Sequence, residues 1–235
     1  MKIRLFTLPN LLTLSNLLCG SFAAVAALVY GNLTAAFWLV VAAAVFDFFD
    51  GFAARLLGQS SPIGLQLDSL ADDISFGFAP AAVLYTLYER MQGVWLPDAG
   101  YASLAVFVFA AFAALRLAKF NIDETQHAEF AGLPTPAATL FCVSLGLLAE
   151  VRGLEIPREA VLAVAAVLSL MMVSPVRMFA LKFAGFGWRG NEIRYGFILF
   201  SVAAVLLLGV YSIPLVIAVY VLVSLVRWLG CRKRE

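Results

Sequence analysis

The chain has 235 residues and a formal net charge of only +1, and 63% of its residues are hydrophobic while 13% are charged. A mean hydropathy of +0.95 excludes an ordinary soluble domain, in which about 25% of the residues are charged. The near-neutral charge and the lack of a basic tract with interleaved aromatic residues argue against nucleic-acid binding. The composition therefore predicts a polytopic membrane protein.

Eight apolar stretches approach the length of about 20 residues that an α-helix needs to cross the hydrocarbon core. They are predicted at about residues 11–30, 34–57, 69–88, 101–118, 134–148, 159–173, 195–211 and 213–229. The first of them fits a retained span better than the shorter apolar core of a secretory signal. The sequence therefore predicts an all-α fold of eight transmembrane helices, forming one integral membrane domain over residues 1–235.

The basic residues predict the orientation of these spans, because cytoplasmic loops carry the excess of lysine and arginine. An eight-span arrangement places three of the sixteen basic residues on the outer side, Arg90, Arg152 and Arg158. The other thirteen share the side of both termini: Lys2, Arg4, Arg55, Arg116, Lys119, Arg177, Lys182, Arg189, Arg194, Arg227, Arg232, Lys233 and Arg234. Both termini are therefore predicted to be cytoplasmic.

The acidic residues are concentrated in one segment of this apolar chain. Five of the fifteen lie between Asp47 and Asp73. Asp47 and Asp50 are three residues apart near the end of the second predicted span, so they share one helix face. Asp68 and Asp72 are four residues apart where the third span is predicted to begin, and they also share a face. A helix-breaking loop, predicted at residues 58–67, returns the chain to the same membrane level, so the two acidic faces can meet.

Four carboxylates in one small volume cannot all stay ionised without a compensating cation. Ligation by oxygen atoms alone favours Mg²⁺ or Mn²⁺, and four carboxylates could hold two such ions, an arrangement that stabilises displacement at phosphorus. Gly51, Ala54 and Gly64 lie beside the acids and leave room for a ligand near the backbone. The alternatives are that the acids pair with nearby basic residues or line a polar transport path.

The segment resembles the signature of the CDP-alcohol phosphotransferases, which are integral membrane enzymes of phospholipid synthesis. The pattern D-x2-D-G-x2-A-R-x8-G-x3-D-x3-D is formed here by Asp47, Asp50, Gly51, Ala54, Arg55, Gly64, Asp68 and Asp72. The resemblance implies a single catalytic domain in which a CDP-linked lipid donates its phosphatidyl group to an alcohol and CMP is the leaving group.

The resemblance also implies a role for each residue of the pattern. Asp47, Asp50 and Asp68 would be metal ligands, with two divalent cations, Mg²⁺ or Mn²⁺, as cofactors. Asp72 would be both a metal ligand and the base that accepts the proton of the alcohol. The pocket for the CDP-lipid would be lined by Gly51, Ala54, Arg55 and Gly64, and by Asn16 of the first span. Asn16 could instead bond a neighbouring helix.

Four further segments are similar to the bacterial, membrane-embedded phosphatidylserine synthases of this family. They are residues 8–20, 67–81, 115–122 and 131–138. The similarity implies CDP-diacylglycerol and L-serine as substrates, and phosphatidylserine and CMP as products. It further implies a location in the cell inner membrane with a cytoplasmic active site, and it makes a homodimer a candidate assembly.

Serine recognition requires a cation for the carboxylate of serine and acceptors for its ammonium group. Arg116 and Lys119, one turn apart at the cytoplasmic end of the fourth predicted span, are candidates for the carboxylate, and Asn121 lies just beyond. Ordinary positive flanking of a span is the alternative interpretation of the two cations. Asp73 is a candidate contact for the ammonium group.

Three other functions remain open on the sequence alone. The acceptor could be another alcohol, such as glycerol phosphate or inositol phosphate. The acids could instead be the coupling site of a transporter, which predicts broken or symmetric helices. A catalytically silent scaffold is the third, although all four acids of the pattern are intact.

Overall fold

A computed structural model describes residues 5–95, 101–122, 130–179, 187 and 191–232. Its α-helices are α1 Leu8–Leu28, α2 Leu33–Leu56, α3 Pro62–Asp72, α4 Ala79–Arg90, α5 Val108–Ile122, α6 Thr135–Arg152, α7 Arg158–Val173, α8 Glu192–Leu208 and α9 Ile213–Arg232. A π-helical turn, Asp73–Phe78, joins α3 to α4, and the 3₁₀ turns Ala102–Phe107 and Gly209–Ser212 precede α5 and α9. A two-residue antiparallel pair joins β1 (Phe130–Ala131) to β2 (Arg177–Met178). The predicted all-α class is confirmed.

The first two helices form a hairpin whose members pack against each other along their length. The chain reverses at Gly31, where a φ of 61° lies in the left-handed region that favours glycine. Asn32 then caps α2, because its side chain accepts a hydrogen bond from the Ala35 N–H at 2.7 Å. Fully buried small residues of α1, such as Ala23 and Ala27, allow the close helix approach that is typical of membrane bundles.

The third helical segment begins earlier than predicted. Its first residue is Pro62, so the predicted start at residue 69 and the predicted loop over residues 58–67 are wrong. Ser61 caps the helix by accepting a hydrogen bond from the Gly64 N–H at 3.1 Å, and proline suits the first helical turn because its missing N–H is not needed there. Asp68 and Asp72 therefore lie within a formed helix, which fixes their relative positions.

The π-helical turn, Asp73–Phe78, follows α3 directly. Turns of this kind are frequent at functional sites. Buried hydroxyl groups hold it on two sides. Thr139 of α6 donates to the Phe76 carbonyl at 2.6 Å, and Ser75 donates to the Asn16 carbonyl at 3.0 Å. The turn thus links the third helical segment to both α1 and α6.

Helix α4 lies in the centre of the described part of the chain, in contact with α1, α6 and α7. Every residue from 79 to 84 is buried. Large aromatic side chains fill the space around the helix, and Phe37, Phe76 and Phe109 are among the largest fully buried ones. Because interiors are closely packed, this centre fixes the positions of the surrounding helices.

The last two helices form a second hairpin, in which the chain reverses at Gly209 with a φ of 59°. The rings of Phe197 in α8 and Tyr220 in α9 lie 5.8 Å apart between centroids, and both contact Phe179, which follows β2. The Tyr220 hydroxyl also donates to the Phe179 carbonyl at 3.1 Å. The hairpin is therefore attached to the rest of the molecule through Phe179, and also through α6.

Five helical stretches in the described ranges are long and apolar enough to cross a membrane. They are Leu8–Leu28, Leu33–Leu56, Ala102–Ile122, Thr135–Arg152 and Glu192–Gly230, the last of which contains the reversal between α8 and α9. This supports a membrane protein, while the count of eight spans and the single domain over residues 1–235 stay predictions. Several basic residues used for orientation lie outside the described residues: Lys2, Arg4, Lys182, Arg189, Lys233 and Arg234.

Gly20 provides a test of the contact between α1 and the π-helical turn. A Cβ atom at Gly20 would lie 2.6 Å from the Cα of Ser75, so a larger residue must displace backbone. We expect Gly20→Ala to lower the free energy of unfolding by about 1–3 kcal/mol, measured by thermal unfolding in detergent. Gly196→Ala in α8 is the control, because in the described part of the chain its added Cβ meets no atom within 4 Å apart from its own helix. Equal melting temperatures for the two variants would contradict the packing.

Candidate active site

The four carboxylates of the acidic pattern converge where α2 ends and α3 lies beside it. Carboxylate oxygens of Asp47, Asp50 and Asp68 lie within 4.8 Å of one another. The carboxyl group of Asp72 adjoins this group and interacts with that of Asp47. The helical spacing of each pair brings its two carboxylates to one face, and the short connection before Pro62 turns these faces toward each other.

Helix α1 supports the acids through two buried side chains. Thr13 donates from its hydroxyl to Asp50 Oδ2 at 2.6 Å, and Asn16 donates from Nδ2 to Asp72 Oδ1 at 3.1 Å. Asn16 is among the site residues predicted from the sequence, whereas Thr13 is not. The available signal was a polar stripe at helical spacing in an apolar span, formed by Asn10, Thr13 and Asn16, all of which are buried.

The negative charges of these carboxylates repel one another. Asp68 lies in α3, outside the five stretches that could cross a membrane. Burial, followed by the charges of Asp50 and Asp47, raises the pKa of its carboxyl group to about 7. A divalent cation among the three carboxylates would favour their ionised forms. The donor set consists of carboxylate oxygens, which suit a hard cation such as Mg²⁺ or Mn²⁺. The residues present therefore fit a metal site.

A cavity of about 210 Å³ opens beside the carboxylates. Its lining includes Asp50 and Asp68 together with four of the five residues predicted to contact the CDP-lipid, Gly51, Ala54, Arg55 and Gly64, whereas the fifth, Asn16, is not part of this lining. A Cβ atom at Gly64 would lie 3.3 Å from Asn10 Oδ1, so a side chain there would narrow the cavity. Arg55 is exposed and offers its charge at the cavity wall. Asn16 lies about one helical turn beyond Thr13 in α1 and contacts Asp72.

Arg116 of α5 is a buried cation near Asp72. It is only 8% exposed, and its charge interacts with that of Asp72. Its Nη1 donates to Thr135 Oγ1 at 3.0 Å, and its guanidinium lies 5.8 Å from the centroid of the Phe120 ring. Flanking residues of a span normally face solvent, so burial distinguishes Arg116 from an ordinary flanking cation.

The other two candidates for serine binding lie further out. Lys119 and Asn121 are exposed, and Asn121 Nδ2 donates to Ser69 Oγ at 2.7 Å, which ties the end of α5 to α3. Within the described ranges, Arg116 is therefore the candidate that the fold brings to the acidic residues.

Thr13 provides a test of the support that α1 gives to the acids. Thr13→Val removes a hydrogen bond to a charged group, worth about 1.5–3 kcal/mol, so we expect Mn²⁺ affinity to fall about 10-fold. Titration of the detergent-solubilised protein, followed by electron paramagnetic resonance, measures this. Ser15→Ala is a matched control in the same helix, because among the described residues the Ser15 hydroxyl bonds only the Leu11 carbonyl of its own helix. Wild-type Mn²⁺ affinity in Thr13→Val would contradict the assignment.

Comparison with known sequences identifies the family to which this chain belongs. A chain of Helicobacter pylori (strain ATCC 700392 / 26695) named CDP-diacylglycerol--serine O-phosphatidyltransferase is 33% identical over 234 residues, covering 96% of this chain and 92% of the relative. A protein of the same name from Bacillus subtilis (strain 168) is 36% identical over 140 residues, covering 59% and 74%. The sequence model described as CDP-alcohol phosphatidyltransferase matches residues 6–183. The chain therefore belongs to the CDP-alcohol phosphatidyltransferase family.

Proposed function

We propose that this protein transfers the phosphatidyl group of CDP-diacylglycerol to the hydroxyl group of L-serine, giving phosphatidylserine and CMP. The convergence of four carboxylates beside a cavity lined by the rest of the family pattern is the observation that carries the proposal. The acceptor is supported by the relatives, whose names specify serine in Helicobacter pylori, Bacillus subtilis and Methanocaldococcus jannaschii.

In the proposed reaction, the serine hydroxyl oxygen forms a bond to the phosphorus that carries diacylglycerol. The bond from this phosphorus to the oxygen that bridges to CMP breaks, and CMP leaves with the electron pair. Asp72 accepts the hydroxyl proton. Asn16 holds one oxygen of Asp72 through its amide, which orients the other oxygen for the proton transfer.

Asp47, Asp50, Asp68 and Asp72 would hold two divalent cations, Mg²⁺ or Mn²⁺. When bound, these ions would supply the positive charge that phosphoryl transfer requires. The chain contributes further groups for the donor. Arg55 provides a cation for the pyrophosphate, and the small residues Gly51, Ala54 and Gly64 leave space for the nucleotide.

The proposed contacts to serine are Arg116, Lys119 and Asn121. Arg116 has the strongest support, because it is buried and its charge interacts with Asp72. A guanidinium group can bind a carboxylate through two parallel hydrogen bonds, which fixes both position and orientation. Lys119 is exposed and would act as a longer-range attraction for the acceptor.

The proposed setting is the cell inner membrane, with both termini and the active site facing the cytoplasm and residues 1–235 forming one catalytic domain. The asymmetry of thirteen basic residues against three supports this orientation. A homodimer remains a prediction from the family resemblance. Fusion of a reporter that is active only in the cytoplasm to the C-terminus would test the orientation.

The acceptor is tested by supplying the purified protein with CDP-diacylglycerol and each of several labelled alcohols. We expect incorporation of serine into lipid, with one CMP released for each serine, and no comparable incorporation of glycerol phosphate or inositol phosphate. Incorporation of another alcohol without serine would overturn the proposed acceptor. Solute flux without CDP-lipid consumption would instead favour a transporter.

Substitutions of the acids separate their proposed roles. Asp72→Asn removes the base but leaves three ligands, so we expect kcat to fall about 10²- to 10⁴-fold while CDP-diacylglycerol binding is retained. Asp47→Asn and Asp50→Asn should weaken metal dependence and nucleotide binding together. Steady-state kinetics across a Mn²⁺ series, with direct measurement of CDP-lipid binding, distinguishes the two patterns.

Glu89→Gln is the matched control for these variants. Glu89 is an exposed carboxylate in α4, near the opposite end of the continuous helical segment that contains Asp72. Its neutralisation should leave kcat, CDP-diacylglycerol binding and the metal dependence unchanged. Wild-type turnover in Asp72→Asn, Asp47→Asn or Asp50→Asn would contradict the assigned roles.

A further inference from the structure

Two charged side chains near the acidic site each have a buried polar atom without a hydrogen-bond partner among the described residues, and a third such atom, Oδ1 of Asn16, belongs to a neutral amide. Asp73 Oδ1 and Arg116 Nε are shielded from solvent and make no hydrogen bond among the described residues. Leaving such a group unpaired costs about 1–3 kcal/mol, and more when the group is charged. Native proteins rarely retain this cost without a reason, and a bound ligand is one reason.

The two atoms belong to one packing interface, between the π-helical turn and α5. A Cβ atom at Gly77 would lie 2.9 Å from Asp73 Oδ1 and 3.2 Å from the Cβ of Ala113. Ala113 precedes Arg116 by three residues, so it lies one helical turn away on the same side of α5. Asp73 and Arg116 thus lie on the two sides of one interface, whose part beside Asp73 is formed by the small residues Gly77 and Ala113.

Both groups are held in place without pairing to each other. The Thr135 hydroxyl and the Phe120 ring position the Arg116 guanidinium, and the hydrogen bond from Thr139 to the Phe76 carbonyl holds the turn that begins with Asp73. No ion pair joins Asp73 to Arg116 in the part of the chain that the structure describes. The interface therefore presents one fixed negative and one fixed positive group.

We propose that Asp73 and Arg116 are the two ends of a subsite for a zwitterionic amino acid, with the ammonium group bound by Asp73 and the carboxylate by Arg116. This rests on the proposed function, since it specifies how the serine acceptor is recognised. Asp72 adjoins Asp73 in sequence and interacts electrostatically with Arg116, so a hydroxyl on the bound amino acid lies near the proposed base.

The same pair excludes the alternative acceptors. Glycerol phosphate and inositol phosphate carry an anion that Arg116 can bind but no ammonium group, so Asp73 would stay buried without a partner and would repel the phosphate. Discrimination of this kind depends on the unfavourable contact with the wrong ligand as well as on the favourable contact with the right one.

The test compares serine with two acceptors that each lack one charge: 3-hydroxypropionate, which has no ammonium group, and ethanolamine, which has no carboxylate. In Asp73→Asn we expect the KM for serine to rise at least about 10-fold, with the KM for CDP-diacylglycerol and the Mn²⁺ requirement unchanged. Turnover of 3-hydroxypropionate should not fall in the variant, because this acceptor makes no ammonium contact to lose and the substitution removes the unpaired negative charge of Asp73.

Glu89→Gln is again the control and should leave all acceptors unaffected. If Asp73→Asn does not fold, the wild-type protein still tests the subsite by competition. Serine should then compete against labelled serine at least about 10-fold better than either 3-hydroxypropionate or ethanolamine.

The possible outcomes distinguish a failure of the proposed subsite from a failure of the proposed function. Equal losses for serine and 3-hydroxypropionate, a raised KM for CDP-diacylglycerol, or equal competition by all three compounds would overturn the subsite alone, because serine would still be a substrate. Absence of serine incorporation by a wild-type protein that consumes CDP-diacylglycerol would overturn the proposed function itself.

Discussion

The gathering of four carboxylates at one end of a helical membrane protein is the constraint on which the rest of the structure depends. Like charges at this separation oppose one another, and partial burial makes the opposition stronger. Hydrogen bonds from α1 to Asp50 and Asp72 offset part of this repulsion. The oxygen atoms of the carboxylates also form a donor set that suits divalent cations. The packing of α1, α2 and the third helical segment therefore serves to hold repelling groups at fixed distances.

The site extends beyond the acidic segment. Helix α5 contributes Arg116, and α6 contributes Thr135, which holds that guanidinium. The C-terminal hairpin lies beyond residues 6–183, which match the family, yet Tyr220 of α9 interacts electrostatically with Arg116. Elements distant in sequence thus surround the side of the site assigned to the acceptor, while α1, α2 and α3 surround the side assigned to the CDP-lipid. This division fits a family in which the donor chemistry is shared.

Much of the fold could be predicted, because hydropathy alone identifies helices of membrane-spanning length and helical spacing alone pairs the carboxylates. The start of α3 was missed because Ser61 and Pro62 read as a loop, although together they form a helix cap. The π-helical turn at Asp73 was also missed, since its hydrogen bonds depend on Thr139 and on Asn16, which are distant in sequence. The support from Thr13 likewise required the packing of α1 against α2.

In the proposed reaction, the serine hydroxyl oxygen attacks the phosphorus of CDP-diacylglycerol that carries the lipid, at a site built from the four carboxylates. Serine labelled with ¹⁸O in its hydroxyl group tests this most directly, because mass spectrometry of the products follows that atom. We expect the label to be retained in phosphatidylserine, in the bond between serine and phosphorus, and CMP to carry none. Unlabelled phosphatidylserine, or label in CMP, would contradict the proposed reaction.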